Sequence, residues 1–139
     1  MPFQYKKVLV IGATSGIGKA LASRIIQEGS FVIVVGRRKE NLEAFVHEHG
    51  NDKASAVPFD VTELDKIPNF VTNITKTHPD LDCVMLNSGI QRSFDFSKPE
   101  TVDMSVVHTE FTTNYFSNLT MTNAFLPFIK SKKEESALI

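Results

Sequence analysis

The feature that most constrains the fold is a glycine-rich segment between a short apolar run and an amphipathic stretch. Residues 8–11 are aliphatic, Gly12, Gly16 and Gly18 follow in the spacing G-x-x-x-G-x-G, and residues 17–28 carry apolar side chains at helical spacing. This pattern predicts a strand, a tight loop and a helix. Such glycines permit a sharp turn, a close backbone approach to a ligand and tight helix–strand packing. Because the first N–H groups of a helix lack intrahelical partners, the segment predicts a dinucleotide pyrophosphate site.

A different phosphate-binding loop, GxxxxGK[ST], does not fit this segment. Ala13 stands where its first glycine would be, and Ala20 stands where a hydroxyl residue would hold magnesium. The loop is therefore interpreted as a dinucleotide loop rather than a nucleoside triphosphate loop.

Short apolar runs alternate with longer helical patterns, which is typical of βαβ units and a parallel sheet. Strands are predicted at residues 8–11, 31–35, 55–59 and 83–86, with helices between them at 17–28, 40–48 and 64–77. Pro58 lacks a backbone donor, which favours an edge position for the third strand. The chain is predicted to be a single α/β domain over residues 1–139, a Rossmann-like doubly wound parallel sheet of order 3-2-1-4 with a fifth strand beginning at residues 137–139.

The last long segment, residues 101–129, is predicted to be one helix with two apolar stripes. One stripe contains Phe111, Tyr115, Leu119, Leu126 and Ile129, and the other contains Met121, Phe125 and Phe128. A second stripe implies a second packing partner.

Charge and hydropathy restrict the classes of partner. Lys and Arg number 15 and Asp and Glu 16, a formal charge of −1, so nothing favours nucleic acid or an anionic membrane. No apolar stretch approaches the roughly 20 residues of a membrane helix, and residues 1–7 lack the apolar region of a signal peptide. A cytoplasmic location is expected.

Residues that form disulfides or bind metals are few. Cys83 is the single cysteine, and its place in an apolar run predicts a small buried hydrophobe. His47 and His49 lie two apart on a predicted helix and point to different faces, while His78 and His108 have no evident partner. No metal site is expected.

Four motifs follow one another at the predicted strand ends and in the long helix. They are the glycine loop, Asp60-Val61, Leu86-Asn87-Ser88-Gly89, and Asn114. In this order they resemble the short-chain dehydrogenase/reductase family, and the match spans essentially the whole chain. The resemblance implies a nicotinamide dinucleotide cofactor, a carbonyl or alcohol substrate, and a subunit interface, hence a homo-oligomer, along the helix at 101–129.

The resemblance also implies roles for individual residues. The loop contacts expected with the cofactor are those of Gly12, Thr14, Ser15, Gly16, Ile17 and Gly18. Asp60 would accept from the adenine amino group beside the Val61 backbone, although carboxylates are also common turn residues at strand ends. The nicotinamide-side ribose would lie along Asn87, Ser88 and Gly89.

Two positions depart from the family pattern. Ile11 replaces the usual Thr, and Leu86 and Ser88 replace Asn and Ala of the usual Asn-Asn-Ala-Gly. Both positions normally tie the first strand to the fourth. The hypothesis is that Ile11 and Leu86 replace a polar tie with apolar contact, which slightly reshapes the cofactor cleft.

The end of the second strand discriminates between the two nicotinamide cofactors. NAD binders place a carboxylate there for the ribose 2′-OH, whereas this chain has Gly36, Arg37 and Arg38. A guanidinium can hold a 2′-phosphate through charge-assisted hydrogen bonds, and Ser15 can add a hydroxyl, so NADP(H) is predicted over NAD(H). The alternative for the arginines, especially Arg38, is a solvated strand end.

The resemblance implies hydride transfer assisted by a Tyr-x-x-x-Lys pair, which these residues do not contain. Tyr5 and Tyr115 are followed four places on by Leu9 and Leu119. Asn114 is the one catalytic position of the family pattern that is present. The chain by itself is therefore expected not to turn over substrate, whose identity the sequence does not indicate.

Three readings remain open at this stage. The chain is the cofactor-binding portion of a longer reductase, or a short, catalytically inactive protein that binds NADP(H) or a partner. In the third reading the glycine loop only packs a helix on a strand and binds nothing. Arg37 and Asp60, at the expected strand ends, weigh against this third reading.

Overall fold

The computed structural model describes residues 3–139; residues 1–2, which belong to the segment predicted to lack a signal peptide, lie outside the described residues. One parallel sheet contains β1 (Lys7–Ile11), β2 (Phe31–Gly36), β3 (Ala54–Pro58), β4 (Cys83–Leu86) and β5 (Ala137–Leu138). The order is β3-β2-β1-β4-β5, which confirms the predicted fold class, strand order and fifth strand. Pro58 lies in an edge strand, as predicted.

The helices connect these strands. They are α1 (Gly16–Gln27), α2 (Lys39–His49), α3 (Ile67–Thr77), α4 (Met104–Phe111) and α5 (Ser117–Ser131). Two short 3₁₀ turns, Leu64–Lys66 and Pro99–Thr101, precede α3 and α4. The predicted helix at 64–77 therefore opens as a 3₁₀ turn and becomes α-helical at Ile67.

Each face of the sheet has its own apolar core, because successive strand residues point to opposite sides. Val8 and Val10 of β1 belong to the core beneath α1 and α2. Leu9 and Ile11 belong to the core beneath α3 and α5. Cys83 is fully buried, and burial raises the pKa of its thiol to about 12, which confirms the prediction of a small buried hydrophobe.

The helix predicted at about 101–129 is present as a continuous helical segment from Met104 to Ser131, but its start, its end and an internal π turn differ from the prediction. Helix α4 starts at Met104 behind the cap Asp103, whose side chain accepts from Ser105 N at 2.8 Å, and α5 extends to Ser131. A π-helical turn, Thr112–Phe116, separates the two helices. A π turn holds an extra residue, so the apolar period before it does not continue after it.

One residue of this segment lies on a different face from the predicted one. Ile129 was grouped with Phe111 and Leu119, but it is buried with Met121 and Phe125 against the sheet and α3. Ile129 lies one helical turn beyond Phe125 and therefore shares its face. Within residues 3–139, no helix combines the length and apolar character needed to cross a membrane, and no group of three potential metal ligands occurs.

Candidate functional site

A cleft of about 550 Å³ opens at the carboxyl edge of the sheet, where β1 to β4 end. All the predicted cofactor-binding residues line it: Gly12, Thr14, Ser15, Gly16, Ile17, Gly18, Arg37, Arg38, Asp60, Val61, Asn87, Ser88 and Gly89. Ligands of open α/β sheets bind at such carboxyl edges, at the point where the strand order reverses. Here that point lies between β1 and β4.

The glycine loop turns sharply off β1 and is held between two other strand ends. Gly12 has φ +88°, a left-handed backbone conformation that residues with a side chain rarely adopt. Its N–H donates to Val35 O at 2.9 Å. Asn87 Nδ2 donates to Gly12 O at 3.1 Å. An added Cβ at Gly18 would strike Gly12 O and lie 2.5 Å from Asn87 Nδ2. There is therefore no room for a side chain at Gly18, where the helix backbone meets the loop.

The start of α1 is suited to an anion. Its first turn contains no acidic residue, and the N-cap Ser15 makes no side-chain hydrogen bond to the helix backbone. The Ser15 hydroxyl instead accepts from Arg38 Nη2 at 2.6 Å. Helix N-terminal N–H groups and the helix dipole favour negative charge at such a position.

Two guanidinium groups stand at the carboxyl end of β2. Arg38 is exposed, and its Nη2 donates to Thr14 Oγ1 at 2.9 Å as well as to Ser15 Oγ, so its guanidinium contacts the glycine loop. Arg37 Nη1 lies 3.9 Å from Asp60 Oδ2, and the Arg37 side chain is 64% exposed. Solvent screens such an open ion pair, which leaves Arg37 available to an anion.

Asp60 forms a turn at the end of β3. Its Oδ1 accepts from Thr62 N at 2.9 Å and from Thr62 Oγ1 at 2.8 Å, and its Oδ2 faces Arg37. The ring of the preceding Phe59 stacks on Phe70, with 4.2 Å between centroids. Asp60 thus acts as a turn residue at a strand end, the alternative given for it from the sequence, and it also lines the cleft.

Asn114 is bound to the segment that follows β4. Its Nδ2 donates to Ile90 O at 2.6 Å, and its Oδ1 accepts from Ile90 N at 2.8 Å. It lies in the π turn, beside the cleft-lining Thr113. This side chain therefore fixes the backbone beyond Gly89 and is not itself among the residues that line the cleft.

Ile11 and Leu86 are neighbours across β1 and β4. The two residues are paired in register, Ile11 is 1% exposed, and Leu86 packs against the same core. The apolar contact proposed from the sequence is therefore geometrically available.

Several lining residues were not identified from the sequence: Gly36, Phe59, Thr62, Ile90 and Thr113. Thr62 had a usable signal, since Asp-x-Thr after a strand is a common side-chain-to-backbone turn. Ile90 directly follows the predicted Gly89, whereas Thr113 had no signal, because the fold brings it to the cleft from a helix distant in sequence. Neither tyrosine belongs to the cleft: Tyr5 packs against the core beneath α1, and Tyr115 is exposed.

Comparison with known proteins gives a consistent result. Residues 6–139 match the family model described as short chain dehydrogenase. The chain is 33% identical over 129 residues to the dehydrogenase/reductase SDR family protein 7-like of Drosophila melanogaster, covering 88% of this chain and 38% of that protein. It is 31% identical over 137 residues to the NADP-dependent 3-hydroxy acid dehydrogenase of Schizosaccharomyces pombe, covering 96% and 52%.

Solved structures agree with the fold. A short-chain dehydrogenase from Streptomyces avermitilis superimposes with a TM-score of 0.85 at 26% identity, covering 98% of this chain and 48% of that one. The closed form of serine dehydrogenase complexed with NADP⁺ superimposes with a TM-score of 0.78 at 28% identity, covering 88% and 48%. The chain thus spans about half the length, or less, of the relatives it matches. With the sheet order, the cleft and a family match over nearly all its residues, the chain belongs to the short-chain dehydrogenase/reductase family of oxidoreductases.

Proposed function

We propose that this chain binds NADP(H) in the cleft and supplies the cofactor-binding part of an oxidoreductase that interconverts a carbonyl and an alcohol by hydride transfer. The observation that carries the proposal is the carboxyl end of β2, where Arg37 and Arg38 stand and no carboxylate does. A carboxylate there would accept from the ribose 2′-OH of NAD, whereas guanidinium groups bind the 2′-phosphate of NADP.

The remaining cleft residues fit the other parts of the same cofactor. The pyrophosphate would lie on the glycine loop at the start of α1, where only backbone fits beside Gly12 and Gly18. The adenine would lie between Arg37 and Asp60-Val61, and the nicotinamide ribose along Asn87, Ser88 and Gly89. Two of the relatives support this assignment by name, the NADP-dependent enzyme of S. pombe and the serine dehydrogenase complexed with NADP⁺.

The bound cofactor would supply the hydride, and the chain's own residues would hold it in place. Within the 139-residue sequence no tyrosine is followed four places on by a lysine, so these residues provide no Tyr-Lys acid. Asn114 would act by fixing the Ile90 backbone at the nicotinamide end of the cleft. We therefore expect cofactor binding without turnover from these residues alone.

The test is a titration of the 139-residue chain with NADPH and NADH, followed by nicotinamide fluorescence and thermal midpoint. We expect tighter binding of NADPH, and Arg38→Ala should weaken NADPH binding by about tenfold or more with little effect on NADH, because it removes a charge-assisted contact. The fragments 2′,5′-ADP and 5′-AMP should show the same discrimination.

Lys39 provides the matched control for the arginine variants. It follows Arg38 directly, carries the same charge and pairs with Glu43 outside the cleft. Lys39→Ala should leave the preference for NADPH unchanged. Equal affinity for NADPH and NADH, or an equal effect of the Lys39 and Arg38 variants, would contradict the proposed cofactor.

The apolar surface of α4, the π turn and α5 supports a second part of the proposal, that two copies of the chain associate there. Large apolar side chains stand exposed on this surface: Met104, Phe111, Tyr115, Phe116, Leu119 and Leu126. A patch of this kind marks an association surface. Sedimentation should show dimers or larger species that Leu119→Asn shifts toward monomer, and a monomeric wild-type chain would contradict this part.

A further inference from the structure

The glycine loop is held by α2 as well as by the strands. The side-chain amide of Asn41, in the first turn of α2, donates from Nδ2 to Thr14 O at 3.0 Å. Among residues 3–139, that carbonyl has no second hydrogen-bond donor. Asn41 is half-buried and does not line the cleft. Any effect of Asn41 on a ligand in the cleft would therefore be indirect.

Thr14 is the residue on which Arg38 rests. The Thr14 hydroxyl accepts from Arg38 Nη2 at 2.9 Å, and the neighbouring Ser15 hydroxyl accepts from the same nitrogen at 2.6 Å. The Thr14 methyl group occupies the space where a Cβ at Gly36 would collide with it. Asn41 holds the Thr14 backbone, Arg38 contacts its hydroxyl, and β2 supports its methyl group.

We propose that Asn41 is a positioning residue that raises the selectivity of the cleft for NADPH over NADH, an inference that rests on the proposed function. The hydrogen bond to Thr14 O keeps the Thr14 and Ser15 hydroxyls where both accept from Arg38. The guanidinium is then held at the loop before the cofactor arrives. Preorganisation of this kind raises affinity because less freedom is lost on binding.

The effect is larger for NADPH because only NADPH carries the 2′-phosphate that Arg38 would contact. Without the Asn41 bond, Thr14 and Ser15 shift and Arg38 loses its two fixed acceptors. NADPH binding then has to order the arginine, whereas NADH binding does not depend on it. A residue with a merely structural role would weaken the binding of both cofactors alike.

The test compares Asn41→Leu, which removes the donor at similar volume, with Asn69→Leu on α3. Asn69 is an exposed asparagine, also near the start of its helix, that does not line the cleft. We expect Asn41→Leu to weaken NADPH binding about threefold to tenfold, the equivalent of one hydrogen bond, with a smaller loss for NADH, whose pyrophosphate uses the same loop. Asn41→Gln, which keeps a donor, should recover part of the NADPH affinity, and Asn69→Leu should have no effect.

Hydrogen exchange on the ligand-free chain gives an independent readout. The Lys19 amide, which donates to Ser15 O at 3.3 Å, should exchange faster in Asn41→Leu, with the later turns of α1 unchanged. If Asn41→Leu does not fold, Asn41→Ala makes the same comparison. If the wild type prefers NADPH but Asn41→Leu weakens the binding of both cofactors equally, or of neither, the proposed role of Asn41 is wrong. The proposed function is not affected by that result. A wild type without that preference would overturn the proposed function together with this inference.

Discussion

The amino edge and the carboxyl edge of the parallel sheet, where its strands begin and end, differ in whether the chain itself supplies hydrogen-bond partners. At the amino edge, Asp82 accepts from the backbone N–H groups of Lys6 and Lys7 at 2.8 and 2.9 Å, and its own carbonyl accepts from Ala137 N. Lys7 Nζ also lies 2.6 Å from Asp80 Oδ2. At the carboxyl edge, the strands run into the glycine loop and the cleft, where the first turn of α1 has no acidic cap.

This difference separates stability from binding. A buried backbone group needs a partner, and the amino edge supplies partners from within the chain. A ligand site needs donors whose partners are not supplied internally, and the carboxyl edge leaves such donors at a helix N-terminus. Substitutions at the amino edge should therefore change stability alone, whereas those at the carboxyl edge should change stability and cofactor binding together.

The largest effect is expected for Gly18→Ala at the carboxyl edge. The added methyl group strikes Gly12 O, a backbone atom that moves only with the whole loop. We expect a loss of about 3 kcal/mol in the free energy of unfolding and loss of NADPH binding. The control is Gly89→Ala, whose Cβ would lie 3.6 Å from Asn114 Oδ1, an ordinary contact. Equal denaturation midpoints for the two variants would refute the close approach at Gly18.

Asp82→Ala tests the amino edge with the next largest effect. It removes the acceptor of two backbone N–H groups, which should lower the free energy of unfolding by about 2 kcal/mol. NADPH affinity of the folded variant should stay at the wild-type value, because the cleft is at the other edge. Asp65→Ala, an exposed carboxylate in a 3₁₀ turn, should change stability by less than about 0.5 kcal/mol. A marked loss of NADPH affinity in Asp82→Ala would mean that the two edges are coupled.

A smaller effect is expected for Ile11→Thr, at the point where β1 enters the cleft. The change restores the family residue but places a hydroxyl opposite Leu86 in an apolar core. We expect about 1 to 2 kcal/mol of destabilisation, because apolar burial is lost and a polar group is buried. Chemical denaturation measures it. A strong gain in stability or in cofactor affinity would argue against the apolar tie.

The smallest effect is expected for the pH dependence of stability that arises from two residues at the amino edge. Burial, with Lys7 adding to it, lowers the pKa of His78 from its ordinary value of 6.5, and a hydrogen bond from Lys7 lowers that of Asp80 from 3.8. Both folded-state pKa values lie below the unfolded ones, so each contribution is complete above the unfolded pKa and is lost as pH falls through the folded pKa. The His78 contribution should decline below about pH 6.5 and that of Asp80 below about pH 4.

Thermal midpoints measured across this range provide the check. His78→Gln should flatten the upper part of the profile, and Asp80→Asn should flatten the lower part. Because Asp80 is largely exposed, its contribution should shrink further in high salt. A wild-type profile that both variants reproduce unchanged would show that this cluster does not contribute to stability.

Much of the cleft could be predicted because its signals are local. The glycine loop, the pair Arg37-Arg38 and the motif Asp60-Val61 each directly follow a recognisable strand, and parallel strands bring their carboxyl ends to one edge. Cleft residues from distant elements could not be found in this way. Thr113 reaches the cleft from the π turn, and no local pattern distinguishes it from the other threonines around it.

The sequence by itself determined the strands, the edge position of Pro58 and the residues that follow each strand, because these depend on short-range periodicity and backbone chemistry. The order of the strands was predictable because alternating strands and helices indicate a doubly wound sheet. Tertiary structure decided where residues 101–129 break into α4, the π turn and α5, and which of their apolar side chains are buried. It also decided that Arg38 lies on Thr14 and Ser15 and that Asn41 holds Thr14. These contacts join residues more than twenty positions apart, so they exist only once β1 and β2 pair and bring the two loops together.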